Sequence, residues 1–119
     1  MIPGVSSSFY LEPLTLYFAG QLLDYGAKVY RYQGYLHAKT MLIDDEICCI
    51  GSVNLDERSL RVDDEICGLF YDNAFVAEYA ACFARDVADS TPYTAAQHAA
   101  RSPLARMWER LLLLFAPLM

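Results

Sequence analysis

The sequence predicts a mixed α/β fold, a β-sheet flanked by helices, and three observations carry that expectation. Four β-type runs follow one helical pattern and precede two more. The chain is 55% apolar and only 20% charged, the balance of a packed globular protein. Its 119 residues leave room for one domain, so apolar strands have to be covered by the chain's own helices.

Residues 13–25 read as the first helix. Pro13 suits the first turn, Leu14, Tyr17, Phe18, Leu22 and Tyr25 recur at three- and four-residue spacing, and Gly26 stands where a left-handed C-terminal residue belongs. Residues 27–32 alternate as a strand, and Gln33-Gly34 breaks it. Residues 35–43 and 47–53 are two further strands, joined through Asp44-Asp45-Glu46 as an antiparallel hairpin. Residues 54–61 are polar and loop-like, with room for one helical turn, and 65–71 return to a strand pattern. Phe75, Val76, Tyr79, Phe83 and Val87 form the stripe of a second helix starting at an Asp72-Asn73 cap. The third helix opens with Ser102 as N-cap and Pro103 behind it, aligns Leu104, Met107, Trp108, Leu111, Leu112 and Phe115, and ends near Pro117. Residues 90–102, which begin with Ser-Thr-Pro, read as a linker. The expected division is a lobe over residues 1–92 and an amphipathic helical tail over 93–119.

The net charge of −6 argues against a protein that works by neutralising a nucleic-acid backbone, and no nucleic-acid partner is expected. Asp44, Asp45, Glu46, Asp56, Glu57, Asp63, Asp64 and Glu65 outweigh Arg58 and Arg61, so one stretch carries that whole excess. Residues 101–119 hold Arg101, Arg106 and Arg110 against Glu109. An anionic partner is therefore better received at the C-terminal end. The longest apolar run, residues 111–119, falls short of the roughly 20 residues of a membrane-spanning helix. The first residues show neither the basic start nor the apolar stretch of a secretory signal. Cys48, Cys49, Cys67 and Cys82 contain no C-x-x-C pair, so no metal site is expected, and they are read as buried thiols in a reducing compartment.

Chemistry concentrates on residues 37–65. Residues two apart on a strand project to one side, so His37 and Lys39 set an imidazole beside an ammonium. That pair suits attack on an anionic phosphorus: the ring nitrogen can form a covalent phospho-enzyme while the cation neutralises the non-bridging oxygens. Ser52 and Asn54, again two apart after Gly51, offer donors, and Asp44 falls at the hairpin turn. Glu65 is a candidate for the carboxylate that orients His37. His-x-Lys-x4-Asp alone arises by chance in roughly one of 100 to 200 chains of this length. The bland alternative is a lone histidine at the start of a buried strand. His98 lacks a lysine two residues on and reads as a surface-helix or linker residue.

His37-Ala-Lys39-Thr-Met-Leu-Ile-Asp44, then Gly51-Ser52-Val-Asn54-Leu-Asp-Glu-Arg58-Ser59-Leu, then Glu65, resembles the signature of the phospholipase D superfamily. Within it the chain is most similar to the C-terminal half of bacterial cardiolipin synthases, from residue 2 to its end. The resemblance implies one lobe of a bilobal fold, with His37 as one of two catalytic histidines. It further implies Lys39, Ser52 and Asn54 as phosphate-binding groups, Glu65 as the residue orienting His37, and Asp44 as the structural third member of the motif. The implied reaction is phosphatidyl transfer between phosphatidylglycerol molecules through a phosphohistidine. It uses no metal or cofactor, because Lys39 and its counterpart supply the charge. A phospholipase D or nuclease is the alternative, and so is an inactive fragment.

Two departures matter. Asp45 stands where the family usually has glycine, and a second His-x-Lys-x4-Asp is absent from the sequence. A fragment, a split gene or a one-motif form that dimerises is therefore expected, completed by an N-terminal lobe or a second copy. The implied setting is the bacterial cell membrane, on its cytoplasmic side or in association with it. The C-terminal Leu/Phe/Trp stripe is expected to pack on the sheet, with an anionic bilayer surface as its alternative.

Overall fold

The computed structural model describes residues 1–6 and 8–115. The chain divides into two compact units, residues 37–88 and residues 1–36 with 89–119.

In the first unit, β2 (Thr40–Ile43), β3 (Ile47–Gly51) and β4 (Cys67–Phe70) form an antiparallel sheet in the order β2-β3-β4. The register sets Thr40 against Ile50, Leu42 against Cys48, and Cys48 against Phe70. Opposed residues share a face, and α3 (Asn73–Ala88) packs against that face. Val76 and Cys48 are the fully buried pair there, the Phe70 and Phe75 ring centroids are 4.8 Å apart, and Tyr79 Oη donates to Thr40 Oγ1. The expected cap is present, because Asp72 Oδ1 accepts from Phe75 N–H at 2.9 Å. The opposite face, with Met41 and Leu69, remains largely exposed.

The hairpin turn carries a local cost. Asp44 and Asp45 have φ of 51° and 54°, and Glu46 N–H closes the turn on Ile43 O at 3.0 Å. Two successive left-handed residues are the mark of a type I′ turn, which favours glycine in its second position. Asp45→Gly is expected to raise stability by about 0.5–1 kcal/mol, since the left-handed region penalises a Cβ, and a urea midpoint measures it.

In the other unit, α1 (Leu11–Asp24) is followed by Gly26, whose φ of 83° and bond to Leu23 O at 2.9 Å end the helix as expected. Of the predicted stripe Leu14 is buried and Tyr17 and Phe18 are half-buried, but the inward face is shifted from it. Ala19 joins Val29 and Tyr93 in the core, with Leu16 and Leu23 packed on it, while Leu22 and Tyr25 are exposed. Apolar residues occur all round this helix, so its spacing did not select a face. β1 (Val29–Arg31) does not join the three-stranded sheet; it pairs with β5 (Thr91–Tyr93), Val29 opposite Tyr93.

The predicted linker is therefore structured. Besides β5 it contains α4 (Ala95–Ala99), whose N-terminus is closed by reciprocal Thr94 and Gln97 bonds. Both α4 and α5 (Pro103–Leu113) pack on α1. Ser102 caps α5 through Ala105 N–H at 3.1 Å, with Pro103 in the first turn. The expected end near Pro117 lies outside the described residues.

α5 is rotated from expectation, since of its six predicted stripe residues only Leu112 is buried. Glu109 and Leu112 point inward, 3% and 8% exposed, whereas Leu104, Met107, Trp108, Leu111 and Phe115 are all exposed. The physical reason is Glu109, whose carboxylate accepts from Arg101 Nη1. Stranding one member of such a buried pair costs about 3–5 kcal/mol, so the polar side is held inside. The cysteines also depart from the expectation: Cys48 is buried and Cys49 half-buried, but Cys67 and Cys82 are exposed. Cys67 opens β4, which has a partner on one side within its sheet.

His98 is more than a surface residue. Arg101 Nη2 approaches its Nε2 at 2.8 Å and Tyr93 Oη its Nδ1 at 3.2 Å. A guanidinium only donates, so Nε2 accepts and the ring proton sits on Nδ1. Burial, and after it the Arg101 and Arg106 charges, hold His98 below the ordinary value of 6.5, with Glu109 and Asp24 opposing. The unfolded chain then binds a proton that the folded chain refuses. Stability from this group is complete above pH 6.5, and falls as pH drops from there toward the depressed folded value. Urea denaturation across that window is expected to show the loss, with a shallower slope in His98→Gln.

Candidate functional site

The sheet's backbone pairing continues past its strands at one end. Gly51 N–H donates to Lys39 O at 3.1 Å, so residues 37–39 run beside the end of β3. On the other side Ser52 N–H donates to Ile66 O at 3.0 Å. Segments 37–39, 51–54 and 65–66 therefore meet at the same end of the sheet. Gly51 permits this closeness: a Cβ there would lie 2.3 Å from Ile66 O and 2.5 Å from Cys67 Sγ.

His37 and Lys39 come together as their two-residue spacing predicts, with Lys39 Nζ 2.7 Å from His37 Nε2. An ammonium has three donors and no acceptor. His37 Nε2 therefore presents its lone pair, and in the neutral ring the proton resides on Nδ1. That lone pair is engaged by the Lys39 ammonium here, so it becomes available to phosphorus or to a proton once Lys39 turns to a phosphate oxygen.

Ser52 and Glu65 form the second pair. Ser52 Oγ donates to Glu65 Oε2 and accepts from Ile66 N–H at 3.1 Å. In this arrangement the Ser52 proton is directed to the half-buried carboxylate. A phosphate oxygen seeking that donor would compete with Glu65.

Asn54 is exposed, and its Nδ2 donates to Ser59 Oγ at 3.4 Å. Ser59 is 8% exposed and lies in the short helix α2 (Glu57–Arg61), capped where Asp56 Oδ1 accepts from Ser59 N–H at 2.8 Å. Sequence reasoning missed this support, although an aspartate just ahead of a short helical turn is an N-cap signal. Arg58 Nε and Asp63 Oδ1, 3.0 Å apart, close the far end of the same turn. Asp44 lies at the other end of the hairpin, in its turn, as its seven-residue separation from His37 implies.

The surface is open, since His37, Ser52 and Asn54 are all exposed. It offers a lone-pair nitrogen, an adjacent cation, an amide and a hydroxyl–carboxylate pair along neighbouring chain segments. Such a set matches a tetrahedral anion better than an acyl carbon, for which a Ser or Cys nucleophile would be needed.

Comparison with known proteins places the chain in a family. Residues 8–87 match the family model described as "Cardiolipin synthase, PLD-like domain". A cardiolipin synthase of Staphylococcus aureus (strain Mu50) is 36% identical over 120 aligned positions, covering 100% of this chain and 24% of the relative. One from Listeria welshimeri is 32% identical over 120 positions, covering 100% of the chain and 25% of the relative. The chain thus spans about a quarter of the length of these curated relatives. No solved structure gives a significant match.

Proposed function

Because the chain belongs to the cardiolipin synthase, phospholipase D-like domain family, we propose that it is the C-terminal lobe of a phosphatidyltransferase acting on phosphatidylglycerol. The observation that supports this most is the His37 Nε2–Lys39 Nζ contact of 2.7 Å.

In the first step a histidine Nε2 lone pair attacks the phosphorus of one phosphatidylglycerol. A P–N bond forms, the P–O bond to the headgroup glycerol breaks, and glycerol leaves with a proton from a second histidine. In the return step a hydroxyl of another phosphatidylglycerol gives its proton to that second histidine and displaces the first. The products are cardiolipin and glycerol. His37 fills one of these two roles, the acid–base role being the commoner for the second motif of such enzymes. The other histidine comes from an N-terminal lobe or from a second copy of the chain.

Lys39 and Asn54 stabilise the non-bridging oxygens as charge grows in the transition state. Glu65, held by Ser52 through Oε2, is the carboxylate for the Nδ1 proton of His37, fixing the ring and supporting its basicity. Asp44 acts at a distance, by shaping the turn that sets the β2–β3 register. The membrane is the source of the anionic substrate, and no helix among the described residues is long and apolar enough to cross it.

Hydrolysis is the second reading, favoured by the exposure of His37 and Ser52, since water must be kept from the phospho-enzyme for transfer to win. Incubation with labelled phosphatidylglycerol separates the two. Cardiolipin supports transfer, phosphatidic acid alone supports hydrolysis, and DNA cleavage without lipid turnover refutes both. Light scattering beside it distinguishes a twofold assembly, which brings two copies of His37 together, from an inert monomer.

A further inference from the structure

We infer that α5 is an interfacial helix, lying in the surface of an anionic lipid layer with its Leu104–Met107–Trp108–Leu111–Phe115 stripe in the acyl boundary. The inference rests on the proposed lipid substrate only for the kind of surface chosen.

The first observation is the orientation of the helix. The apolar stripe of an amphipathic helix ordinarily faces the core on which the helix packs. Here the inward side holds Glu109 and Leu112, and the five stripe residues are 43–69% exposed. The Arg101–Glu109 ion pair fixes that rotation.

Charge is the second. Arg106 and Arg110 lie four residues apart in one row, and Arg110 neighbours Met107 and Leu114 at three and four residues, along the edge of the stripe. Both arginines are exposed. Arg106 bonds backbone carbonyls of Ala99 and Arg101 at 3.4 and 3.1 Å, which keeps its charge uncompensated by a carboxylate in those contacts. Arginine stems can cover apolar surface while their heads meet lipid phosphates. This cationic edge occurs on a chain whose net charge is −6, so its sign is local and opposite to the rest.

The chain has a single tryptophan, and Trp108 is in the stripe. Vesicles of phosphatidylglycerol and phosphatidylcholine are expected to shift its emission to the blue, and brominated acyl chains to quench it. Pure phosphatidylcholine vesicles should bind at least fivefold more weakly, as should the mixed vesicles in 0.5 M salt, about the loss of one arginine–lipid attraction or more. Leu104→Ser with Leu111→Ser is expected to lower partitioning at least tenfold while far-UV circular dichroism is unchanged, because both positions are exposed. Arg110→Gln should lower it about fivefold. An unshifted, unquenched Trp108 on anionic vesicles would overturn the inference. So would a blue shift that grows with protein concentration in the absence of lipid, which would assign the stripe to a second copy. His37→Ala should bind vesicles normally, so loss of catalysis and loss of docking are read separately.

Discussion

Replacing His37 by alanine is expected to lower phosphatidyl transfer by about 10⁴-fold or more in the catalytically competent assembly of this chain. Either assignment of the residue gives this result. A nucleophile that is absent forms no P–N bond, and an acid that is absent leaves glycerol to depart as an unprotonated alkoxide. The side chain is exposed and precedes β2, so removing it should leave the urea midpoint nearly unchanged. Conversion of labelled phosphatidylglycerol, with the denaturation curve beside it, measures both. Retained turnover in a folded variant would place the chemistry elsewhere.

Lys39→Met is expected to have the next largest effect, about 10²–10³-fold in kcat, the usual loss when one pre-positioned charge is removed from a transition state. Methionine keeps much of the length and apolar stem while deleting the ammonium that meets His37 Nε2. Lys39→Arg is expected to recover only part of this. A planar guanidinium needs a different approach to both imidazole and phosphate than a compact ammonium does. Steady-state kinetics on mixed micelles would show a fall in kcat larger than any rise in KM. A change confined to KM would make Lys39 a ground-state binding group only.

What was legible in the sequence was mostly local. Ser102-Pro103, Asp72 and Gly26 mark helix ends through bonds to residues two to four positions away, and each mark is realised. The β2–β3 hairpin was legible because its strands are joined by a short turn. Long-range pairing was not. Val29 meets Tyr93 across most of the chain, and Pro92, which signals a break locally, is tolerated in β5, which pairs on one side only. α4 was missed because its signal, the Thr94–Gln97 box, follows directly on that proline. The rotation of α5 contradicted its pattern because an ion pair, Arg101 with Glu109, decided which side faced inward.

The candidate site follows the same rule. His37 and Lys39 meet at the spacing the sequence predicts, but not on the strand predicted over residues 35–43, because β2 begins only at Thr40 and both residues stand just ahead of it. The partner of Glu65 depended on the register of β3 against β4, and the contact in the structure is with Ser52. Asn54 was legible as a donor but not its support on Ser59, which follows from the folding of α2.

The central claim is that the end of the sheet around His37 receives a phosphodiester, and the chain's two histidines allow a direct test with an internal control. Histidine ¹⁵N spectra recorded while glycerophosphoglycerol is added are predicted to show His37 Nε2 and Nδ1 moving saturably with His98 unmoved, and Lys39→Met abolishing the response. Movement of His98 with a silent His37, or no saturable change at either ring, would contradict the account.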